Sequence, residues 1–166
     1  MIPRFAAELP NMTTAEHILL EAIKPGHRVL IIGGGMIGCE LADFLGERGH
    51  AVTILEMRPE VAQDMEWRAR HTLMPRLERY GVTLLPGMEV METANTGRIR
   101  IRDAYGVEEW LEPFDTTAIS VGYRPEKMLA RELEHMRLPY KAIGDCVAPG
   151  KILDAMHQGL AAAYAL

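Results

Sequence analysis

A chain of 166 residues can bury a core, and its 48% hydrophobic and 25% charged residues are the balance of a folded globular domain. The net charge of −5 leaves no basic patch for nucleic acid or an anionic membrane surface. No apolar run nears the ~20 residues that span a bilayer, and the opening Met1-Ile-Pro-Arg-Phe-Ala-Ala-Glu8 has no secretory pattern, so the expected location is the cytoplasm.

Residues 1–26 read as an entry segment, with Pro3, Pro10, a cap at Thr13 or Thr14, and a short helix Ala15–Ile23 stopped by Pro25-Gly26. A βαβ unit then begins at His27. Val29–Ile32 predicts a strand, Gly33-Gly-Gly35-Met-Ile-Gly38 a glycine turn, residues 36–48 a helix, and Val52–Leu55 a second strand ending at Glu56. A helix is expected over 61–80, kinked at Pro75, and a third strand over Val82–Leu85. The pattern then turns to strands without helices: Met88–Thr93, Arg98–Arg102 and Val107–Leu111, an antiparallel meander whose Arg98/Arg100/Arg102 stripe faces solvent. Asp115–Val121 reads as an apolar strand entering Gly122-Tyr-Arg-Pro125. A helix near 126–134, a strand over Tyr140–Asp145 and a helix from Ile152 onward complete the chain. Leu166 falls inside what reads as a continuing helix, so the chain is expected to be cut from a longer one.

The glycine turn carries chemistry. Gly33 permits a tight exit from the strand, Gly35 lets a pyrophosphate approach the backbone, and Gly38 lets the helix lie close on the sheet. With Gly34, Met36 and Ile37 they form the start of a helix whose free N–H groups and partial positive charge face the phosphates. Glu56, followed by Met57, stands where a carboxylate accepts hydrogen bonds from an adenosine ribose. The motif alone is common; flanked by strand, helix, strand and acid it predicts a dinucleotide site. An acid at Glu56 repels a 2′-phosphate and favours NADH over NADPH, while Arg58 two residues on works in the opposite direction.

The remaining reactive residues follow no catalytic pattern. Cys39 and Cys146 form no Cys-x-x-Cys pair, and Cys39 reads as a packing residue. The six histidines lack metal-ligand spacing, and the eleven methionines are scattered over predicted elements as core residues. No residue reads as catalytic and no metal is expected.

Taken together, the glycine turn with Glu40, the acid Glu56, the meander, Val121-Gly122-Tyr-Arg-Pro125, and Gly144-Asp145-Cys-Val-Ala-Pro-Gly-Lys-Ile-Leu-Asp-Ala-Met-His157 resemble the two-dinucleotide-binding flavoprotein disulfide reductases. The nearer resemblance is to the C-terminal region of Old Yellow Enzyme-like NADH:flavin oxidoreductases, the group that includes 2,4-dienoyl-CoA reductase and trimethylamine dehydrogenase.

That resemblance implies an α/β chain in two parts: a Rossmann-like βαβαβ with an antiparallel β-meander, and incomplete remnants of a second, flavin-type domain. Its implied boundaries are 1–26 (entry segment, flavin-domain remnant), 27–113 (the NAD(H) domain) and 114–166 (flavin-domain C-terminal remnant). The cofactor implied is NADH, with FAD or FMN in the complete protein. Glu40 would lie toward the nicotinamide side, Gly122 would belong to the returning flavin segment, and Asp145 would face the flavin's ribityl or phosphate region. The expected partners are the dinucleotide and the missing flavin and barrel domains, with no nucleic acid and no membrane. An apolar edge along 114–145 would also suit a homo-oligomer. Two other readings stay open: a structural FAD or ADP site, and an interaction module that binds no nucleotide.

Overall fold

In a computed structural model, which describes residues 9–165, the chain divides into two compact units, the first ending at Gly122 and the second beginning at Tyr123. The first unit holds a five-stranded parallel sheet in the order β1-β8-β2-β3-β4. Its strands are β1 (Met12–Thr14), β2 (Arg28–Ile32), β3 (Ala51–Glu56), β4 (Thr83–Pro86) and β8 (Thr116–Ile119). A separate antiparallel meander follows the order β5 (Glu89–Thr93), β6 (Ile99–Arg102), β7 (Glu108–Leu111). Helices α1 (Ala15–Leu19), α2 (Met36–Glu47) and α3 (Trp67–Arg79) complete the unit.

Strand β2 shows why the sheet is central. Its residues alternate between two cores: Val29 and Ile31 pack with Leu41 and Leu45 of α2 and Leu77 of α3, whereas Leu30 and Ile32 pack with Ile99 and Ile101 of the meander. A strand buried on both faces needs a continuous apolar run, and Val29-Leu-Ile-Ile32 is one. In β6 the same alternation is one-sided. Ile99 and Ile101 are fully buried, while Arg100 and Arg102, which alternate with them, are half-buried.

Those arginines are paired. Arg100 meets Glu92 at 2.6 Å and Glu108 at 3.1 Å, Arg102 meets Glu89 at 2.8 Å, and Arg98 meets Glu112 at 3.3 Å. The guanidinium groups of Arg98 and Arg100 also lie 5.3 and 5.8 Å from the Trp110 ring centre. The stripe expected to face solvent forms a ladder of ion pairs across three strands.

Four elements depart from the sequence expectation. The helix expected over 61–80 starts only at Trp67, because Ala62 takes a left-handed turn (φ 56°) and the Glu66 side chain caps the helix by accepting from the N–H groups of Arg68 and Ala69. The helix runs through Pro75. The entry helix ends at Leu19 because Glu21 is left-handed (φ 56°), and a short strand, β1, precedes it. Thr14 is its cap.

Residues 140–145 form no strand. They pair with none among the described residues and end in a 3-10 turn, Gly144–Cys146. Finally, β8 is no exposed edge: it lies between β1 and β2, with Thr116, Thr117, Ala118 and Ile119 buried. The sheet therefore takes in residues from both sides of the expected boundaries at 26 and 113.

The second unit contains α4 (Met128–His135), the 3-10 turn and α5 (Ile152–Ala163), and none of the three has a buried residue. The Lys151 N–H donates to Asp154 Oδ2 at 2.8 Å and the Gly144 N–H to Gln158 Oε1 at 2.6 Å. Met128, Leu129, Ile152, Leu153 and Met156 are all exposed. No helix of the described residues is long and apolar enough to cross a membrane.

The meander is a structural support of the sheet, so Ile101→Ala, which empties a fully buried site, is expected to lower the unfolding free energy by roughly 2–5 kcal/mol in urea denaturation.

Candidate functional site

The glycine turn leaves the carboxyl end of β2. From β2 the chain proceeds through α2 to β3 and β4 on one side, while β8 and β1 lie on the other, so strand order reverses between β8 and β2. In open parallel sheets, ligands bind outside the carboxyl ends of the strands at such a reversal.

Two glycines close the turn. Gly33 is at φ 107°, and a Cβ there would stand 2.2 Å from the Ser120 carbonyl oxygen, just past β8. A Cβ on Gly38 would stand 2.0 Å from the Gly33 carbonyl oxygen, so any side chain there would push α2 off the turn.

Glu56 locks this geometry. It is the last residue of β3 and only 7% exposed. One carboxylate oxygen accepts the Gly34 N–H at 2.6 Å and the other the Arg58 N–H at 2.8 Å. The Gly34 carbonyl is held in turn, accepting the Ala62 N–H at 2.6 Å and the Cys39 thiol at 3.3 Å. Gly33 donates its N–H to the Leu55 carbonyl at 2.8 Å. The loop is therefore tied to β3 by two consecutive N–H groups, that of Gly33 to the Leu55 carbonyl and that of Gly34 to the Glu56 carboxylate. Charge-assisted bonds of this kind are short and strong.

A second carboxylate sits at the mouth of the turn. Asp64 Oδ1 accepts the Met36 N–H at 2.9 Å, the first N–H of α2, and Asp64 Oδ2 lies 3.3 Å from where a Gly35 Cβ would be. Ile37 and Gly38 follow in the first turn, whose N–H groups have no intrahelical acceptor. The mouth is thus an anion cradle by construction, and a carboxylate oxygen already uses it. A dinucleotide pyrophosphate fits the same donors.

Of the residues expected to form a site, Gly33, Gly34, Gly35, Met36, Ile37, Gly38 and Glu56 are brought together. Met57 follows Glu56 and is exposed, and Glu40 is exposed on α2. Gly122, at φ 87°, follows Ser120 past the end of β8. Asp145 lies in the second unit, exposed, its Oδ1 accepting the Gly150 N–H at 3.2 Å. Sequence reasoning missed Ser120, Ala62 and Asp64. Their roles arise from loops, and Asp64 had been placed inside a helix that begins only after it.

Such a turn on such a sheet defines a Rossmann-type nucleotide-binding domain. Residues 4–148 match the family model of the pyridine nucleotide-disulphide oxidoreductases, and the chain belongs to that family. It is 32% identical to a bilirubin reductase of Mediterraneibacter gnavus over 87% of the chain and 22% of that protein. It is also 32% identical to an NADH oxidase of Thermoanaerobacter brockii over 82% of the chain and 21% of that protein. The chain thus spans about a fifth of the length of these curated relatives. Its fold matches that of a histamine dehydrogenase from Rhizobium sp. 4-9 with a TM-score of 0.83 at 17% identity, over 96% of the chain and 26% of that protein.

Burial pushes the Cys39 thiol up to about 12, with the negative charge of Asp64 acting in the same direction. A folded-state value above the unfolded 9.0 means that the thiol's contribution to stability is intact below pH 9 and is lost as pH rises toward 12. At pH 8 a thiol reagent is therefore expected to label Cys146 promptly and Cys39 only once denaturant unfolds the chain, as followed by mass spectrometry.

Proposed function

We propose that the chain is the NADH-binding part of a flavin-dependent oxidoreductase of the Old Yellow Enzyme-like NADH:flavin type. The observation that carries this reading is the glycine turn at the strand reversal, pinned by the Glu56 carboxylate. NADH supplies a hydride, and a flavin, FAD or FMN, held by a part of the parent protein outside this chain accepts it. The chain's own residues bind and orient. The helix start at Gly35, Met36, Ile37 and Gly38 takes the pyrophosphate. A carboxylate offers about four lone-pair positions. Two of those on Glu56 are used by Gly34 and Arg58, which leaves the others for the ribose hydroxyls. Met57 borders the adenosine end, Glu40 lies toward the nicotinamide, and Gly122 keeps the mouth open beside β8.

In this reading the nicotinamide-nucleotide domain assigned to 27–113 also takes in the flanking strands β1 and β8, and the flavin-domain remnant is the unit from Tyr123 on, with Asp145 in it. Its exposed apolar helices suit burial against the flavin and barrel domains of the parent protein.

The test is calorimetric titration of the chain with NADH, NADPH, FAD and ADP. NADH is expected to bind more tightly than NADPH. Glu56→Gln, which keeps the shape and removes the charge, is expected to narrow that ratio about tenfold, the scale of one charged hydrogen bond. The ratio is the better readout, because losing the acceptor for the buried Gly34 N–H also lowers stability. FAD or ADP binding as tight as NADH would replace this reading with a structural nucleotide, and silence with all four would leave an interaction module.

A further inference from the structure

The loop between β3 and α3 is shaped to return a negative charge to the glycine turn. Ala62 takes the left-handed conformation at φ 56°, which residues with a Cβ seldom adopt, and its N–H is bonded to the Gly34 carbonyl at 2.6 Å. Arg70 braces the same loop from α3, donating Nε to the Val61 carbonyl at 3.3 Å and pairing with Glu60 at 3.0 Å. Between these anchors, Asp64 reaches the Met36 N–H at 2.9 Å. Its position is not that of a cap for its own helix, since Glu66 caps α3. The Asp64 charge also acts on Cys39, in the first turn of α2, which places it in the electrostatic field of that turn.

We infer that Asp64 stands in for a dinucleotide pyrophosphate in the free chain, and that a nucleotide must displace it to bind. The ligand rests on the reading of the site given above; the displacement rests on the Asp64 contact with the Met36 N–H and on its charge. A single backbone N–H at a helix start cannot serve two anionic oxygens at full strength, and Glu56 already places another negative charge beside the turn. An incoming pyrophosphate meets Asp64 over Gly35, where the carboxylate is within 3.3 Å of the Cβ position. Asp64 is exposed, so it can swing into solvent while the Ala62 and Arg70 anchors hold the loop. The effect is an affinity set below what the turn alone would give, which favours release of the spent nucleotide.

The experiment titrates wild type, Asp64→Ala and Asp64→Asn with inorganic pyrophosphate and, separately, with NADH, after circular dichroism shows that each variant is folded. Removing the carboxylate is expected to raise pyrophosphate affinity about tenfold, and NADH affinity similarly, on the scale of one anion at a helix N-terminus. Asparagine, which keeps an acceptor but no charge, is expected to give a smaller gain, about threefold. In the amide spectrum of wild type, the Met36 resonance is expected to move, on adding pyrophosphate, to the position it takes in pyrophosphate-bound Asp64→Ala.

An unchanged or weakened pyrophosphate affinity in the variants would overturn the inference and leave Asp64 as a group that merely orders the turn. So would the absence of pyrophosphate binding in every form. A gain for pyrophosphate with no NADH binding in any form would keep the displacement and sink the NADH reading. If the alanine variant does not fold, the asparagine variant decides by the same criteria.

Discussion

The structure of the site depends on one buried carboxylate. Glu56 ends β3 with both oxygens engaged by backbone N–H groups, one on either side of the strand end. Burying an ionised group is costly unless its charge is matched by donors, and here the donors are the turn that the carboxylate positions. The turn and the acid therefore specify each other: the buried Gly34 N–H and the Glu56 oxygen that accepts it are each satisfied by the other. A residue read as a ligand-binding acid is first a structural one.

Rigidity behind the turn comes from a sheet buried on both faces. Helices α1, α2 and α3 cover one side and the meander covers the other, so β2 cannot shift without disturbing two cores at once. Gly33 approaches Ser120 and Gly38 approaches Gly33 with no room for a side chain, and this close stacking sets the helix start directly over the sheet end. Arg76 of α3 meets Asp43 of α2 at 2.7 Å and ties the two helices on the outer surface. The ion-pair ladder on the meander lies on the opposite, solvent-facing side, where it contributes little by itself.

The unit from Tyr123 onward obeys a different economy. Its two helices carry apolar residues at helical spacing, yet none of those residues is buried. Hydrogen bonds within the unit, such as Tyr140 to Glu134 and Gly144 to Gln158, define local turns without a core of their own. In the proposed reading, this apolar surface is the one the rest of the parent protein covers. The contrast with β8, whose residues are all buried, separates a strand that belongs to the sheet from a segment that does not supply its own burial.

Much of this was legible in the residues. Period-two and continuous apolar runs located β2, β3, β4 and the meander strands within a residue or two, because a strand's burial is written directly in its side-chain alternation. The glycine turn and its acid were legible because the glycine spacing lies between an apolar strand and a helix, with the acid at the end of the next strand. What lay beyond the sequence involves contacts between distant segments. The insertion of β8 between β1 and β2 follows from pairing across some ninety residues of chain, visible in bonds such as Gly26 to Thr116. The late start of α3 turns on a left-handed alanine that no propensity favours. The carboxylate of Asp64 reaches α2 only because that loop folds back. Local pattern determines most of the elements and where a nucleotide turn can exist; tertiary packing decides which strands become neighbours and whether a short run such as Met12–Thr14 becomes a strand at all, because that choice is made by surfaces that meet only in the folded chain.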